Sequence, residues 1–149
     1  MDLILWRHAE AEDGYPDAER KLTGRGKRQA ERMAAWLRPR LAGDALVLVS
    51  PSARTRQTAK PLERPFETAA GVGVGASPAE FVKAVGWPNR GGTVLVVGHQ
   101  PTLGQVAALL MSERVSEWPV KKGAIWWLSY RGPGETILKA VLAPDMLDS

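Results

Sequence analysis

Two histidines in similar surroundings are the residues of this chain whose chemistry stands out first. His8 follows the apolar run 3–6 and Arg7, His99 follows the apolar run 94–97 and a glycine, and the chain contains no other histidine. Runs of this length and composition predict buried strands. Because open α/β sheets bind ligands at the carboxyl ends of their strands, we expect both imidazoles at one edge of a sheet.

A second arginine is expected at the same edge. The apolar run 45–49 predicts another buried strand, and Arg54 follows it closely. Arg7 and Arg54 beside two imidazoles that titrate near neutrality suit a phosphoryl group, whose oxygens match the planar donors of arginine. One imidazole would attack phosphorus while the other groups stabilise charge on the equatorial oxygens. A lone histidine after a strand is usually structural, but two at matching strand ends favour a site.

The rest of the pattern supplies the elements that would position these groups. Strand-like runs alternate with helical ones, and a short third strand is expected at 66–68. Thr23 and Ser52 are candidate N-caps, and 77–80 has the composition of a capping box with proline at the first helical position. This alternation predicts an α/β fold, a three-layer α-β-α sandwich with a mainly parallel sheet.

The last third of the chain changes character. The strand-like runs 124–130 and 136–142 are joined by a segment rich in glycine and proline. They predict a hairpin, and therefore an antiparallel strand near the C-terminus. Adjacent Trp126 and Trp127 would point to opposite faces of their strand, so we expect apolar cover on both faces.

Composition and length exclude several classes of protein. The chain of 149 residues fits one domain, 1–149, and its 44% hydrophobic and 24% charged residues are ordinary for a folded protein. With no cysteine, it has no disulfide, thiolate nucleophile or cysteine-built metal site. The apolar runs are short for a membrane span, and no signal-peptide pattern follows Met1. We expect a cytoplasmic protein without membrane attachment.

Positive charge is concentrated in one part of the chain. The net charge is +4, and residues 20–64 hold twelve Lys or Arg against three acidic residues. Such a region could attract phosphates or an acidic partner, or could be a solvated helix face. A basic module that binds phosphoprotein or nucleic acid is therefore an alternative to an enzyme. Trp36 is the one aromatic residue in this region and it falls in a pattern that predicts burial, so stacking on bases is not indicated and nucleic acid is not the expected partner.

Four groups of motif residues resemble those of the histidine phosphatase (phosphoglycerate mutase-like) superfamily, in the order of that family. They are Arg7-His8-Ala9, Leu22-Thr23 with Gly26 and Gln29, Ser50-Pro51 with Arg54 and Gln57-Thr58-Ala59, and Gly98-His99. The short length and the pair Lys122-Gly123 before a late strand most resemble the bacterial phosphohistidine phosphatases.

This resemblance implies a phosphoglycerate mutase-like fold without a large cap insertion, and a phosphatase mechanism. His8 would be the nucleophile that becomes phosphohistidine, Arg7, Arg54 and His99 would bind the phosphoryl oxygens, and neither metal nor cofactor would be needed. The implied substrate is phosphohistidine on a protein, such as a histidine-phosphotransfer domain. The alternative substrate is a small phosphoester.

A general acid is difficult to find. Relatives of the mutase type supply a carboxylate between the second strand and the second histidine, and this region offers only Glu63, Glu67 and Glu80. Glu80 is the candidate, although it also fits the capping box. A site without an acid would favour cleavage of N–P over O–P bonds, since imidazole leaves phosphorus more readily than an alkoxide does. The short stretch from Arg54 to His99 suggests an open cleft.

Two other interpretations rest on local patterns. The segment 71–76 fits a dinucleotide fingerprint, G-x-G-x-x-A, although a flexible loop is the simpler interpretation. His8, Glu10 and His99 could instead ligate a metal, but the Cys-x-x-Cys that accompanies H-x-E in zinc deaminases is absent.

Overall fold

A six-stranded sheet forms the centre of the molecule in the computed structural model, which describes residues 1–147. Its strands are β1 (Asp2–Arg7), β2 (Leu46–Val49), β3 (Glu67–Thr68), β4 (Thr93–Gly98), β5 (Ile125–Gly132) and β6 (Glu135–Leu142). They are arranged in the order β3-β2-β4-β1-β5-β6, and β5 runs antiparallel to both of its neighbours while the other pairs are parallel. The predicted mainly parallel sheet with an antiparallel strand near the C-terminus is confirmed.

Four α-helices cover the two faces of the sheet. They are α1 (Gly24–Leu37), α2 (Ala53–Ala59), α3 (Pro78–Val85) and α4 (Thr102–Ser112). Successive side chains of a strand point to opposite faces. Leu3 and Leu5 therefore pack with residues of α3 and α4, whereas Ile4 and Trp6 pack with residues of α1. Both faces of β1 are buried, and the three-layer sandwich is confirmed.

The C-terminal hairpin follows the same logic. Trp126 packs against the core on the α3 and α4 side, and Trp127 belongs to the core on the α1 side. The two strands extend one or two residues further into the turn than the sequence predicts. They are connected by Pro133 and Gly134, and Gly134 adopts a φ of +70°. A two-residue connection with a positive φ matches the twist of paired strands.

The helix starts lie where the cap residues predict them. Thr23 Oγ1 accepts a hydrogen bond from the Gly26 N–H at 2.9 Å, and Ser52 caps α2 in the same way. Ser77 and Glu80 form both bonds of a capping box at the start of α3. Helix α1 ends at Leu37, two residues before Pro39, because proline cannot continue a helical hydrogen-bond ladder.

The glycine-rich segment after β3 forms a 3-10 turn, Ala70–Val72, and then a loop. Strand β3 has only two residues and both are exposed. Helix α3 starts later, with its own cap at Ser77, so the segment lacks the direct strand-to-helix turn of a dinucleotide site. Within residues 1–147, no helix combines the length and apolar character needed to cross a membrane.

Candidate active site

Strand register brings the two histidines together. Arg7 of β1 pairs with Gly98 of β4, so His8 and His99 are the next residues on adjacent parallel strands. Their ring centroids lie 5.4 Å apart and the rings are inclined by 58°. Strand β2 lies on the other side of β4 and leads into α2, which carries Arg54. The two histidines and the two arginines therefore lie in one cluster at the predicted edge of the sheet.

A cavity of about 310 Å³ lies at this edge. Its walls combine the four predicted residues with a rim of further polar groups and one apolar residue. The lining residues are Arg7, His8, Ala11, Asp17, Arg20, Arg54, Val74, His99, Gln100 and Lys122. The cationic side chains outnumber Asp17, the one carboxylate in this set, so the cavity suits an anion.

His8 is held as a neutral imidazole with a defined tautomer. Its Nδ1 lies 2.7 Å from the carbonyl oxygen of Ala9, which can only accept, so Nδ1 carries the proton and Nε2 the lone pair. Burial lowers the pKa of His8 to about 4, and the charge of Arg54 adds to this effect. At neutral pH His8 therefore offers an unprotonated Nε2, the form that a nucleophile requires.

His99 is oriented by two partners. Its Nε2 lies 2.7 Å from Ser50 Oγ, and its Nδ1 lies 3.4 Å from Arg54 Nη2. A guanidinium only donates, so Nδ1 holds the lone pair and Nε2–H donates to Ser50. Burial, followed by the charge of Arg54, lowers the pKa of His99 to about 3. An anion bound beside Nδ1 would oppose that shift and favour a proton there.

The two arginines are fixed by contacts that leave some donors unused. Arg7 Nη1 donates to the Val120 carbonyl at 2.8 Å, and Arg54 donates to Asp17 through both terminal nitrogens. Within residues 1–147, the buried Nε atoms of both arginines have no hydrogen-bond partner. An unsatisfied buried donor costs about 1–3 kcal/mol. Phosphoryl oxygens would supply acceptors to these guanidinium groups.

A hydroxyl group joins the nucleophile segment to the arginine segment. Thr58 Oγ1 accepts from the Ala9 N–H at 3.1 Å and donates to the Arg54 carbonyl at 2.7 Å. The neighbouring Gln57 accepts from the Leu22 N–H at 2.7 Å. Thr58 and Gln57 therefore fix the backbone that follows His8 and the backbone that precedes α1.

Gly26 and Gln29 at the start of α1 have a similar role. Gln29 Oε1 accepts from the Glu10 N–H at 3.0 Å. A Cβ on Gly26 would lie 1.9 Å from the Glu10 carbonyl oxygen, so only glycine permits this close approach. Both residues hold the loop that follows His8 against α1.

Three residues of the site were not predicted from the sequence: Asp17 and Arg20, which line the cavity, and Ser50, which orients His99. Asp17 and Arg20 lie in an acidic loop that has no periodic pattern and no strand end, so no local signal indicated them. Ser50 was visible only as part of the Ser50-Pro51 motif. Lys122 belongs to the pair that carries the family resemblance, and the structure places it on the cavity wall beside Gly123, whose N–H donates to the His8 carbonyl at 3.0 Å.

The structure does not bring Glu80 to the site. Its carboxylate accepts from the Ser77 N–H at 3.3 Å, as the capping interpretation requires, and it does not line the cavity. Glu63 and Glu67 do not line it either. Hydrogen bonds from Arg20 and then from Arg54 lower the pKa of Asp17. Asp17 is therefore ionised at neutral pH and is a poor proton donor.

The possible metal ligand Glu10 faces other partners. Its Oε1 accepts from Thr23 Oγ1 at 2.9 Å, and its Oε2 lies 3.9 Å from Arg25. Among residues 1–147, no three His, Asp or Glu side chains are grouped so that they could hold a metal ion. The cavity instead presents guanidinium donors and imidazoles.

The chain resembles known proteins along most of its length. The sequence model of the histidine phosphatase superfamily, branch 1, matches residues 3–73. An uncharacterized protein of Mycobacterium tuberculosis is 36% identical over 128 residues, covering 74% of this chain and 78% of that protein. The phosphohistidine phosphatase SixA homolog of Haemophilus influenzae is 29% identical over 147 residues, covering 85% of this chain and 88% of that protein.

A solved structure has the same fold. The protein histidine phosphatase SixA complexed with tungstate matches with a TM-score of 0.85 and 24% identity, covering 98% of this chain and 99% of that one. The sheet and its helices are thus shared along nearly the whole chain.

Proposed function

We propose that this chain, which belongs to the histidine phosphatase superfamily, removes the phosphoryl group from phosphohistidine on a protein. Its relatives support the phosphohistidine phosphatase branch of that superfamily. The same relatives support phosphatase activity in general. The proposal rests on one observation above all: a neutral His8 whose Nδ1 is fixed by the Ala9 carbonyl stands in a cavity with two guanidinium groups.

The first step transfers the phosphoryl group to His8. Its Nε2 forms a bond to phosphorus while the bond from phosphorus to the substrate nitrogen breaks, and that nitrogen takes the electron pair. The substrate imidazole keeps the proton on its other nitrogen and leaves as a neutral ring. Arg7 and Arg54 donate to the equatorial oxygens, and His99 joins them once the bound phosphoryl group favours a proton on its Nδ1. Loss of one such donor typically costs about 100- to 1,000-fold in rate.

The second step returns His8 to its starting state. Water attacks phosphorus, the bond to Nε2 breaks, and the electron pair returns to Nε2 as inorganic phosphate forms. Throughout, the Nδ1 proton stays on the hydrogen bond to the Ala9 carbonyl, 2.7 Å away. That proton makes His8 itself a good leaving group. Fixed guanidinium charges neutralise the phosphoryl oxygens, so we propose that no metal takes part.

The preference for an N–P bond follows from the acid that the cavity lacks. Asp17 is the one carboxylate among its lining residues, and its pairing with Arg20 and Arg54 keeps it ionised. An alkoxide leaving group needs a proton that Asp17 does not hold, whereas an imidazole leaves without one. Hydrolysis of a small phosphomonoester is the alternative, and it would require water as the proton donor.

A protein substrate is supported by the surface around the site. The stretch between α2 and β4 consists of short turns, the two-residue β3 and the eight-residue α3. The exposed basic residues Arg25, Lys27 and Arg28 of α1 add positive charge beyond the cavity. We propose that they guide an acidic phosphorylated domain by long-range attraction.

The test compares three substrates in the presence of a chelator. A phosphohistidine protein, phosphoramidate and an aryl phosphate are offered to wild type, to His8→Ala and to Glu80→Gln. We expect wild type to hydrolyse the two N–P substrates faster than the aryl phosphate, His8→Ala to be inactive and Glu80→Gln to match wild type. Activity that requires a metal, or that survives loss of His8, would refute the mechanism, and preference for the aryl phosphate would favour the phosphomonoesterase.

A further inference from the structure

Two large, exposed apolar side chains belong to segments that form the cavity wall. Val74 lines its wall and is 62% exposed, and Tyr15 is 97% exposed. Tyr15 lies two residues before Asp17, which also lines the wall, so the Tyr15 Cα lies within about 7 Å of the Asp17 Cα. We call Tyr15 and Val74 the rim pair.

The loop that carries Tyr15 is anchored rather than free. Its base is closed by a bridge between Ala11 and Leu22, and the Glu12 N–H donates to the Lys21 carbonyl at 2.8 Å. Arg20 donates to the Glu12 carbonyl at 2.8 Å and to Asp17 at 3.0 Å. The phenol ring is thus presented to solvent by a loop whose ends and centre are bonded.

Val74 is presented by the glycine-rich segment that the dinucleotide interpretation left unexplained. Gly75 adopts a φ of +75°, and a Cβ on Gly73 would lie 3.0 Å from the Ala70 carbonyl oxygen. The flanking glycines allow the tight course of the loop, and the one large side chain between them points to solvent at the cavity. An apolar side chain in this position forgoes the favourable free energy of burial.

We propose that the rim pair is the docking contact for the folded protein that carries the phosphohistidine, an inference that rests on the proposed function. A phosphoryl group and its imidazole fit a cavity of about 310 Å³. They would leave the Tyr15 ring, which is 97% exposed, largely uncovered. Only an occupant larger than the cavity covers Tyr15 and Val74 together. Tyrosine is a common interface anchor because its ring buries much area and loses little conformational entropy.

Charge around the rim pair selects the same occupant. Arg20 and Lys122 line the cavity in addition to Arg7 and Arg54. The expected partner surface is therefore an apolar patch beside the phosphohistidine, bordered by acidic residues that face Arg20 and Lys122.

The test separates docking from chemistry by offering the same N–P bond in a folded domain and in a free amino acid. The probes are an isolated histidine-phosphotransfer domain phosphorylated on its histidine and the free amino acid phosphohistidine. The variants are Tyr15→Ser and Val74→Ser. The matched control is Val115→Ser, which removes an apolar side chain that is 57% exposed just after α4, the helix that leads away from the site.

We expect Tyr15→Ser to lower kcat/KM for the domain by about 3- to 10-fold, mainly through KM, since partial burial of one side chain is worth about 1 kcal/mol. Its kcat/KM for free phosphohistidine stays unchanged. Val74→Ser lowers the value for the domain more than the value for free phosphohistidine, and Val115→Ser changes neither.

Three results would overturn the docking inference while the proposed chemistry stands. They are wild type that hydrolyses free phosphohistidine but not the domain, rim-pair variants that keep full activity on the domain, and equal losses on both probes. Wild type that hydrolyses neither probe would overturn the proposed function itself, and the inference with it.

Discussion

Asp17 holds Arg54 through two different acceptors. Its backbone carbonyl receives Nη1–H at 2.8 Å, and its carboxylate receives Nη2–H at 3.0 Å. The Arg54 side chain is only 5% exposed, whereas that of Asp17 is 54% exposed. Both contacts involve the terminal nitrogens, and Nη2 also faces His99 Nδ1 at 3.4 Å, which leaves the Nε–H, without a partner among residues 1–147, for an anion. Asp17 is therefore a positioning residue for the phosphoryl clamp.

The first prediction concerns this contact. Asp17→Asn keeps the backbone acceptor but removes a charged one, so we expect kcat/KM to fall by about 10-fold or more, in line with 1.5–3 kcal/mol for a charged hydrogen bond. The inhibition constant of inorganic phosphate should rise in parallel. Asp13→Asn is the matched control because it makes the same change in an exposed residue of the same loop. A gain in activity would contradict the account and would mean that Asp17 competes with substrate for Arg54.

The second prediction concerns the Ser50 hydroxyl. It accepts from His99 Nε2–H at 2.7 Å and so fixes that proton on Nε2, which directs any proton gained on binding of a phosphoryl group to Nδ1. Ser50→Ala should lower kcat by about 3- to 10-fold, the value of one neutral hydrogen bond. Nitrogen NMR should show His99 protonated on Nε2 in wild type and a mixture of tautomers in the variant. Ser112→Ala, which loses a hydroxyl contact within α4, should have wild-type activity. A wild-type spectrum from Ser50→Ala would contradict this role.

The third prediction concerns stability in acid. The pKa of His8 is lowered to about 4 and that of His99 to about 3, mainly by burial. Between pH 6.5 and about 4 the unfolded chain binds a proton on each imidazole that the folded chain does not, so the free energy of unfolding falls as pH falls. From pH 7.5 to pH 5 each histidine should remove about 2 kcal/mol.

Urea unfolding at these two pH values measures the effect. His99→Asn should lose less stability on acidification than wild type, because one of the two titrating groups is gone. Saturating inorganic phosphate should also reduce the loss, since a bound anion favours protonated His99. Wild-type stability that stays constant or rises on acidification would contradict the assignment of both histidines as neutral.

Much of the fold is encoded locally. The apolar runs of β1, β2 and β4 and the caps Thr23 and Ser52 specify elements by short-range pattern, and their strand ends bring His8 and His99 to one edge. The adjacent tryptophans of β5 likewise required cover on both faces. These features can be predicted from hydrophobic periodicity and composition alone, which are present in a single sequence.

The missed part of the site depends on contacts between distant segments. Asp17 meets Arg54 across 37 positions, and its loop has no repeating pattern that reports the meeting. Glu80 shows the opposite case. Its local pattern fitted both a helix cap and a general acid, and in the structure it forms only the cap. A side chain whose role depends on a tertiary partner cannot be identified from its own neighbours in sequence.

The most direct test of the central claim is to identify which nitrogen of His8 carries the phosphoryl group during turnover. Wild type is mixed with a phosphohistidine substrate or phosphoramidate, quenched within milliseconds in base, and examined by phosphorus NMR and by peptide mass spectrometry. His99→Ala, which should slow turnover, and His8→Ala serve as comparisons. We predict phosphate on His8 Nε2, because the Ala9 carbonyl holds the Nδ1 proton, and no phosphorylated residue in His8→Ala. Phosphate on Nδ1, on another residue, or on none while turnover proceeds would contradict it.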